Sequence, residues 1–551
     1  MKAVIEKLVR EALGIISKGM QKPVEGERPH REEIVIEHPT DLSNGDYTTN
    51  AALATARQFR MAPLEVAHLL KDYIDLHKPD AVERVEIAGP GFINFYLQKD
   101  FFKKSIGEII EKDGDFGKSA IFAGEKVIVE HTDPNPFKKL HIGHLMPMTI
   151  GTSIANLFRW NGAEVKEAVY QGDVGLHVAK AVWAMQKGIT EDPYVYGNKT
   201  YDEDAGAKQE IIELNKKIYE RTDAEINKLY DAGRKASLEY FETMYKILGT
   251  KFDLYFFESD TAKIGERVVR DHVGEIFQKS DGAIVFHAEE YDPSLHTRVF
   301  INSEGLPTYE AKELGLAKAK FQKYAYTKSV VVTGNEIREY FRVLLAAMKF
   351  IYPDLRDMTK HLPHGMLRLP SGKMSSRTGD VISIEEIMSD IKKAVEEKGN
   401  TATDEIAVAA LKYMILKSSI GGDIVFDFEK SVSTEGDSGV YLQYAYARTN
   451  SLLEKAGKKG DAHAERSEMH EVEKLLYRFP DIVERAGREY APHYITTYLT
   501  ELAASFNNFY AHEQVIGDGP ESAYRLAIAE AFKIVLKNGL SILGIPTQER
   551  M

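Results

Sequence analysis

The chain has 551 residues, which at ~150 residues per domain predicts three or four domains. Its 71 Lys and Arg against 84 Asp and Glu give a formal charge of −13. That excludes a protein held on nucleic acid by bulk positive charge but permits a local basic face. Cysteine is absent, which excludes disulfides, thiolate-bound zinc, Cys-ligated iron–sulfur clusters and thiol nucleophiles, and fits a reducing compartment.

No apolar stretch approaches the ~18 residues of a membrane span. In the first segment, Val4, Ile5, Leu8, Val9 and Leu13 recur at helical spacing, with Glu6 and Glu11 among them. This predicts an amphipathic helix packed on its own domain rather than a targeting segment. A cytoplasmic protein without membrane contact is expected.

Residues 1–115 read as a small α/β domain. Helices are predicted from Asn50 to Phe59 and from Pro63 to Leu76, and strands over 85–87 and 92–96 flank Gly89-Pro90-Gly91. A second domain spans 116–400. Buried-strand patterns at 126–130, 167–170, 283–286 and 329–332 alternate with helical ones. Such alternation predicts a doubly wound parallel sheet of Rossmann-like α/β class. A polar helical stretch, about 185–255, reads as an insertion. Residues 401–551 are helical almost throughout and predict an all-α bundle, with Pro480 kinking or breaking one helix.

The sharpest chemical signal is Pro134-Asn135-Pro136-Phe137-Lys138-Lys139-Leu140-His141-Ile142-Gly143-His144, after a strand and at the head of a helix. Unpaired amides and the dipole make such a helix start an anion site. His141 and His144, three apart, share one face and can both donate to phosphate, while Gly143 admits a flat group close to the backbone. A His-x-Gly-His string is expected by chance only roughly 0.04 times in this composition. The bland alternative is two histidines that merely cap a helix. Downstream, Gly372-Lys373-Met374-Ser375-Ser376-Arg377-Thr378-Gly379 forms a cationic, hydroxyl-rich loop, and Ser383 with Glu386 predicts a capping box after it. Lys373 on such a loop can close a point charge onto leaving phosphates.

Together the two motifs resemble the signature pair of class I aminoacyl-tRNA synthetases. Lys373 to Arg377 resembles the Lys-Met-Ser-Lys-Ser loop of that class, with Ser376 in place of its second lysine. Arg377 and Lys138 are the candidates to supply the missing charge. Within the class the chain is most similar to arginyl-tRNA synthetases, over essentially its whole length. The resemblance rests on Val129-Glu130 before Pro134-Asn135 and Lys138, Gly172-Asp173-Val174-Gly175, Leu248-Gly249, GVYLQYAYAR from Gly439, Phe506-Asn507-Asn508-Phe509-Tyr510, and Gly45-Asp46-Tyr47 in the first domain.

This resemblance implies ATP-dependent ligation of L-arginine to tRNA(Arg) through arginyl-adenylate. Mg²⁺ arrives with the nucleotide, and neither zinc nor an oligomer is required. The first domain would contact tRNA and the last would bind the anticodon. The catalytic set would be His141, His144, Lys373, Lys138 and Arg377. The ATP site would add Pro134, Gly143, Gly334, Gly365, Met366, Met374 and Ser375. The arginine pocket would use Glu130 and Asn135 for the α-amino group, with Asp173, Tyr309, Glu313 and Glu336. Tyr309 and Glu313 lie four apart on one helix face. The family usually has Asp at position 313, so the acceptor is expected to shift by one methylene. Contacts to tRNA would come from Tyr441, Tyr444, Asn507 and Tyr510, beside a basic face that includes Arg478, Arg485 and Lys533. Rival readings are a synthetase of another specificity, a small-molecule adenylyltransferase, and a synthetase-like tRNA-binding protein without activity.

Overall fold

The computed structural model describes residues 1–19, 34–368, 382–399, 401–466 and 468–551. They fall into two compact units. One comprises Met1–Gly117, Thr449–Ile482 and Glu501–Val535, and the other Lys118–Arg448, Val483–Thr500 and Leu536–Met551.

The larger unit is built on a parallel sheet. Its strands are β1 (Lys126–Glu130), β2 (Glu164–Gln171), β3 (Leu254–Phe257), β4 (Lys328–Gly334) and β5 (Thr359–His364). They lie in the order β5-β4-β1-β2-β3. β1 carries Val127, Ile128 and Val129, all fully buried. Such a continuous apolar run is what a strand covered on both faces requires. β1 pairs with β2 from Lys126↔Glu164 to Glu130↔Ala168, and with β4 from Val127↔Lys328 to Glu130↔Val331. The chain therefore reverses its winding between β1 and β4. In open parallel sheets the crevice at the carboxyl ends of such a pair is where ligands bind.

Helix α1 (Ile142–Trp160) follows β1. The helices α2 (Leu176–Gln186), α3 (Pro193–Glu203), α4 (Ala205–Glu220) and α5 (Ala224–Leu248) separate β2 from β3. Then come α6 (Glu258–Asp271), α7 (Tyr309–Lys323), α8 (Arg338–Ile351), α9 (Ile384–Glu397) and α10 (Asp404–Leu416). Ile128, Ala168 and Val331 of the sheet share one core with Leu314 and Ala317 of α7 and Phe341 and Leu344 of α8.

One strand assignment differs from the sequence reading. Ala283–Phe286 is not in the parallel sheet; it pairs antiparallel with Gln278–Ser280 and Arg298–Ile301. The cause is local. The two-residue connection Asp281-Gly282 has φ of 48 and 81, and left-handed backbone at both positions makes a tight hairpin. The sheet instead has five strands, with β3 and β5 at its two edges. β5 includes Lys360, His361 and Pro363, polar and Pro residues that an edge position tolerates.

The other unit contains an antiparallel sheet in the order Ile36–Glu37, Tyr47–Thr49, Phe92–Leu97, Val82–Ala88. Lys2–Gly19, Ala51–Phe59 and Pro63–His77 are its first helices. Ile5, Leu8 and Val9 sit in the same core as Ile93 and Phe95, so the first helix is amphipathic for the predicted reason. His38 and Tyr47 both reach the Asp481 carboxylate, at 3.1 and 2.8 Å. Pro480 stands in the first turn of Phe479–Glu489, and the preceding helix ends at Leu476, which is the predicted break. No described helix is long and apolar enough to cross a membrane.

Candidate active site

The segment leaving β1 is held in unusual backbone. Thr132, Asp133 and Phe137 have φ of 82, 41 and 69. Left-handed conformations cost energy in non-glycine residues and cluster where a site needs them. The Asp133 carboxylate accepts the Tyr170 amide at 3.1 Å, and Gly172 donates its amide to the Pro134 carbonyl at 3.3 Å. These bonds tie the turn to the end of β2. A Cβ on Gly172 would stand 2.3 Å from Asn135 Oδ1, so the amide side chain lies directly against glycine backbone.

At the head of α1, His141 is the N-cap. Its Nδ1 accepts the Gly143 amide at 3.1 Å, and His144 Nδ1 accepts the His141 amide at 3.1 Å. The rings lie 3.9 Å apart. Burial, then the charge of Lys138, brings His141 down to about 4. Burial, then His141 and Lys138, holds His144 well below the ordinary imidazole value. Both rings are therefore neutral near pH 7. With Nδ1 accepting, the hydrogen of each sits on Nε2, the atom free to donate to a ligand.

The Lys138 ammonium lies 4.1 Å above the Tyr194 ring. Lys373, Met374, Ser375 and Arg377 lie outside the described residues. The described flanks of that segment are anchored at the site. Leu367–Arg368 pairs with Ile424–Val425 just beyond β5. On the other side, Ile142 N–H donates to the Ile382 carbonyl and Ile384 N–H to the Leu140 carbonyl, both at 3.1 Å. The chain carrying the second motif thus re-enters beside the His141 cap. The predicted box is present: Ser383 N–H reaches Glu386 Oε2 at 2.9 Å and Glu386 N–H reaches Ser383 Oγ at 3.2 Å.

At the carboxyl end of β1 lies an acidic cluster between the sheet and α7. Glu130 is 1% exposed and receives Lys320 Nζ at 2.6 Å. Glu313 is half-buried, with the Tyr340 hydroxyl donating to it from 3.5 Å. Burial, then the Glu130 charge, pushes both Glu313 and Asp133 well above the usual carboxylate range. Lys312 is engaged elsewhere, by Glu258 at 2.6 Å, with both groups buried. Glu130 and Lys320 balance each other, and a ligand bearing two cationic groups would favour the charged forms of the other two carboxyls. Tyr309, the first residue of α7, is 59% exposed.

Asp173 is placed otherwise than as an open ligand. It is fully buried and accepts four hydrogen bonds, from Tyr230, Arg234, Ser259 N–H and Ser259 Oγ. Glu336 folds back over Gly334, where a Cβ would meet its carboxylate at 2.2 Å. At the end of β5, Gly365 lies against Gly422, whose carbonyl a Cβ would meet at 2.1 Å, and Met366 is partly exposed.

Of the tRNA candidates, Tyr444 is exposed, Asn507 and Tyr510 are half-buried, and Tyr441 is core. Arg478 is also buried, which removes it from the predicted basic face. Lys320, Asp133 and Tyr340 are not singled out by sequence. Lys320 was within reach, because it lies seven residues from Glu313 and so on the same helix face.

A family model for the catalytic domain of class I (R) tRNA synthetases matches residues 105–428. The chain belongs to the class I arginyl-tRNA synthetases. The arginyl-tRNA synthetase N-terminal domain matches residues 3–97 and a DALR anticodon-binding domain matches 442–551. The arginine–tRNA ligase of Limosilactobacillus reuteri is 30% identical over 548 residues, covering 94% of this chain and 96% of its own. That of Thermococcus sibiricus is 29% identical and covers 100% of this chain and 99% of its own. The solved Thermus thermophilus arginyl-tRNA synthetase superposes with a TM-score of 0.74 at 26% identity, with full coverage of both chains. The Plasmodium falciparum enzyme shares the fold, with a TM-score of 0.80 at 17% identity over 100% of this chain and 99% of that one.

Proposed function

We propose that the protein joins L-arginine to tRNA(Arg) with ATP, in two steps. The observation that carries this reading is an acid-rich cluster at the carboxyl end of β1 together with a neutral, donor-rich head on the helix that follows that strand. The head suits a triphosphate and the cluster suits the two cationic groups of arginine.

In the first step an oxygen of the arginine carboxylate attacks the α-phosphorus. A C(=O)O–P bond forms, the bond to the bridging oxygen breaks, and pyrophosphate leaves with the electron pair. Little covalent work falls to the protein, which must align the groups and stabilise charge. The first amides of α1 and the Nε2–H groups of His141 and His144 would donate to phosphate oxygens, with Lys138 adding a full charge. Each neutral imidazole keeps one donor, its Nε2–H, for this task. Mg²⁺ enters bound to ATP. Gly334, Gly365 and Met366 would border the nucleoside, with Pro134 and Gly143 against the phosphates.

Glu130 and Asn135 would hold the α-ammonium, and Glu313, Tyr309 and Glu336 would surround the guanidinium, where planar bidentate pairing is available. Asp173 would act by positioning, since its bonds fasten Arg234 of α5 and Ser259 of α6 to the end of β2. In the second step a ribose hydroxyl of the terminal tRNA adenosine attacks the adenylate carbonyl and AMP departs. Tyr444, Asn507 and Tyr510 are the candidate tRNA contacts on the helical region. A cytoplasmic location accords with this role.

The test is arginine-dependent ATP–pyrophosphate exchange and tRNA charging, with and without tRNA(Arg). Charging with arginine supports the reading. Exchange with another amino acid would favour a different specificity, and tRNA binding without exchange would favour a non-catalytic protein.

A further inference from the structure

Lys138 lies in a stretch whose backbone is fixed from one side. The Phe137 amide donates to Ser237 Oγ at 2.8 Å and the Leu140 amide to the Tyr240 hydroxyl at 3.3 Å. Both partners belong to α5 of the insertion. Phe137 itself packs on Gly233, where a Cβ would meet its ring at 2.3 Å. With the main chain pinned at 137 and 140, the freedom left to Lys138 is that of its side chain.

A second insertion helix takes up that freedom. Tyr194, in the first turn of α3, is half-buried and holds the Lys138 ammonium 4.1 Å from its ring centroid. Asp192, the N-cap of α3, pairs with the adjacent Lys139 at 3.6 Å. α3 in turn is seated firmly on α2. Gly197 is buried so closely that a Cβ would lie 2.1 Å from the Lys180 carbonyl, Lys180 Nζ donates to Asn198 at 2.8 Å, and Tyr196 stacks on Trp183 at 6.3 Å. α2 starts directly after the Gly172–Gly175 turn at the sheet edge. A packed path thus runs from that edge through α2 and α3 back to Lys138.

We propose that Tyr194 is a positioning residue for adenylate formation, its ring holding the Lys138 ammonium at the phosphate side of the α1 head. This rests on the reading above that Lys138 meets ATP phosphates. An unrestrained lysine loses rotamer entropy when it closes on a ligand, and a cation over an aromatic face has lost part of it beforehand.

The experiment is a double-mutant cycle on the full chain, read as kcat and KM for ATP and for arginine in exchange assays with tRNA present. Tyr194→Leu is expected to lower kcat/KM for ATP by roughly two- to fivefold. Tyr194→Phe, which keeps the ring, should match the parent, and KM for arginine should stay put. In a Lys138→Met background, Tyr194→Leu should have no further effect. Tyr194→Leu with parental ATP kinetics, beside an impaired Lys138→Met, would overturn the proposal alone. So would an undiminished Tyr194→Leu effect in the Lys138→Met background, or an equal rise in the arginine KM. A silent Lys138→Met would overturn the phosphate role of Lys138 and this proposal with it.

Discussion

His144 Nδ1 accepts the backbone amide of His141 at 3.1 Å, so the second imidazole caps the residue that presents the first. With the Gly143 amide donating to His141 Nδ1, two bonds fix both rings and their tautomers at the start of α1. Replacing His144 by Ala removes the proposed phosphate donor and releases the cap. We expect arginine-dependent exchange to fall about a hundredfold, at ~1.4 kcal/mol per decade. A loss under threefold in exchange kinetics would exclude the donor role.

The same burial sets a pH dependence. His141 titrates near 4 and His144 well below its ordinary value, so both stay neutral as pH rises from 5.5 to 8. The profile of kcat/KM for ATP, which reports the free enzyme, should show no limb near pH 6.5 from these rings. A limb there that vanishes in His141→Ala or His144→Ala would contradict their neutrality.

The acidic pocket predicts proton-linked arginine binding. Glu313 and Asp133 are raised by burial and by Glu130, so a bound cation should favour their charged forms and release protons. Arginine affinity should rise with pH up to the raised pKa values and level off above them. Calorimetry in two buffers of different ionisation heat should show net proton release, smaller in Glu313→Gln. The sign for folding is opposite. A raised carboxyl favours the folded state at low pH, and that contribution is lost as pH rises through the folded pKa. Proton uptake on binding would refute the linkage.

The buried Lys312–Glu258 pair, 2.6 Å apart, predicts a large and one-sided stability effect. Lys312→Ala leaves a buried carboxylate without its partner and should cost about 3–5 kcal/mol in denaturant unfolding. A joint replacement of both groups by apolar residues should recover much of it. A change under 1 kcal/mol for the single variant would mean that water reaches the pair.

Gly172 is predicted to be irreplaceable for pocket reasons. Its Cβ position lies 2.3 Å from Asn135 Oδ1, so Gly172→Ala must displace that amide. One lost polar contact is worth about 1–2 kcal/mol, and the arginine KM should rise about tenfold with little change in KM for ATP. Equal rises in both would place Asn135 elsewhere in the reaction.

Much of this was legible in the sequence because it is local. The His-x-Gly-His cap, the Ser383–Glu386 box and the break at Pro480 each follow from residues a few positions apart. The parallel strands with continuous apolar runs were legible for the same reason. Ala283–Phe286 was misplaced because its apolar run fits either sheet type, and the deciding signal was Asp281-Gly282. The pocket was only half legible. Glu130 and Glu313 were named, but their relation to Lys320 depends on a contact between residues 130 and 320, which no local pattern encodes. Asp173 looked like a ligand because of its place at the strand end. Its saturation by Tyr230, Arg234 and Ser259 appears only once the insertion is folded.

The most direct measurement is ATP–pyrophosphate exchange and tRNA charging with each standard amino acid in turn, with tRNA(Arg) present. Arginine alone should support both reactions, and His144→Ala should depress both together. Exchange driven by a different amino acid, or no exchange by a folded protein that binds tRNA, would contradict the assignment of a triphosphate and an arginine to this one sheet edge.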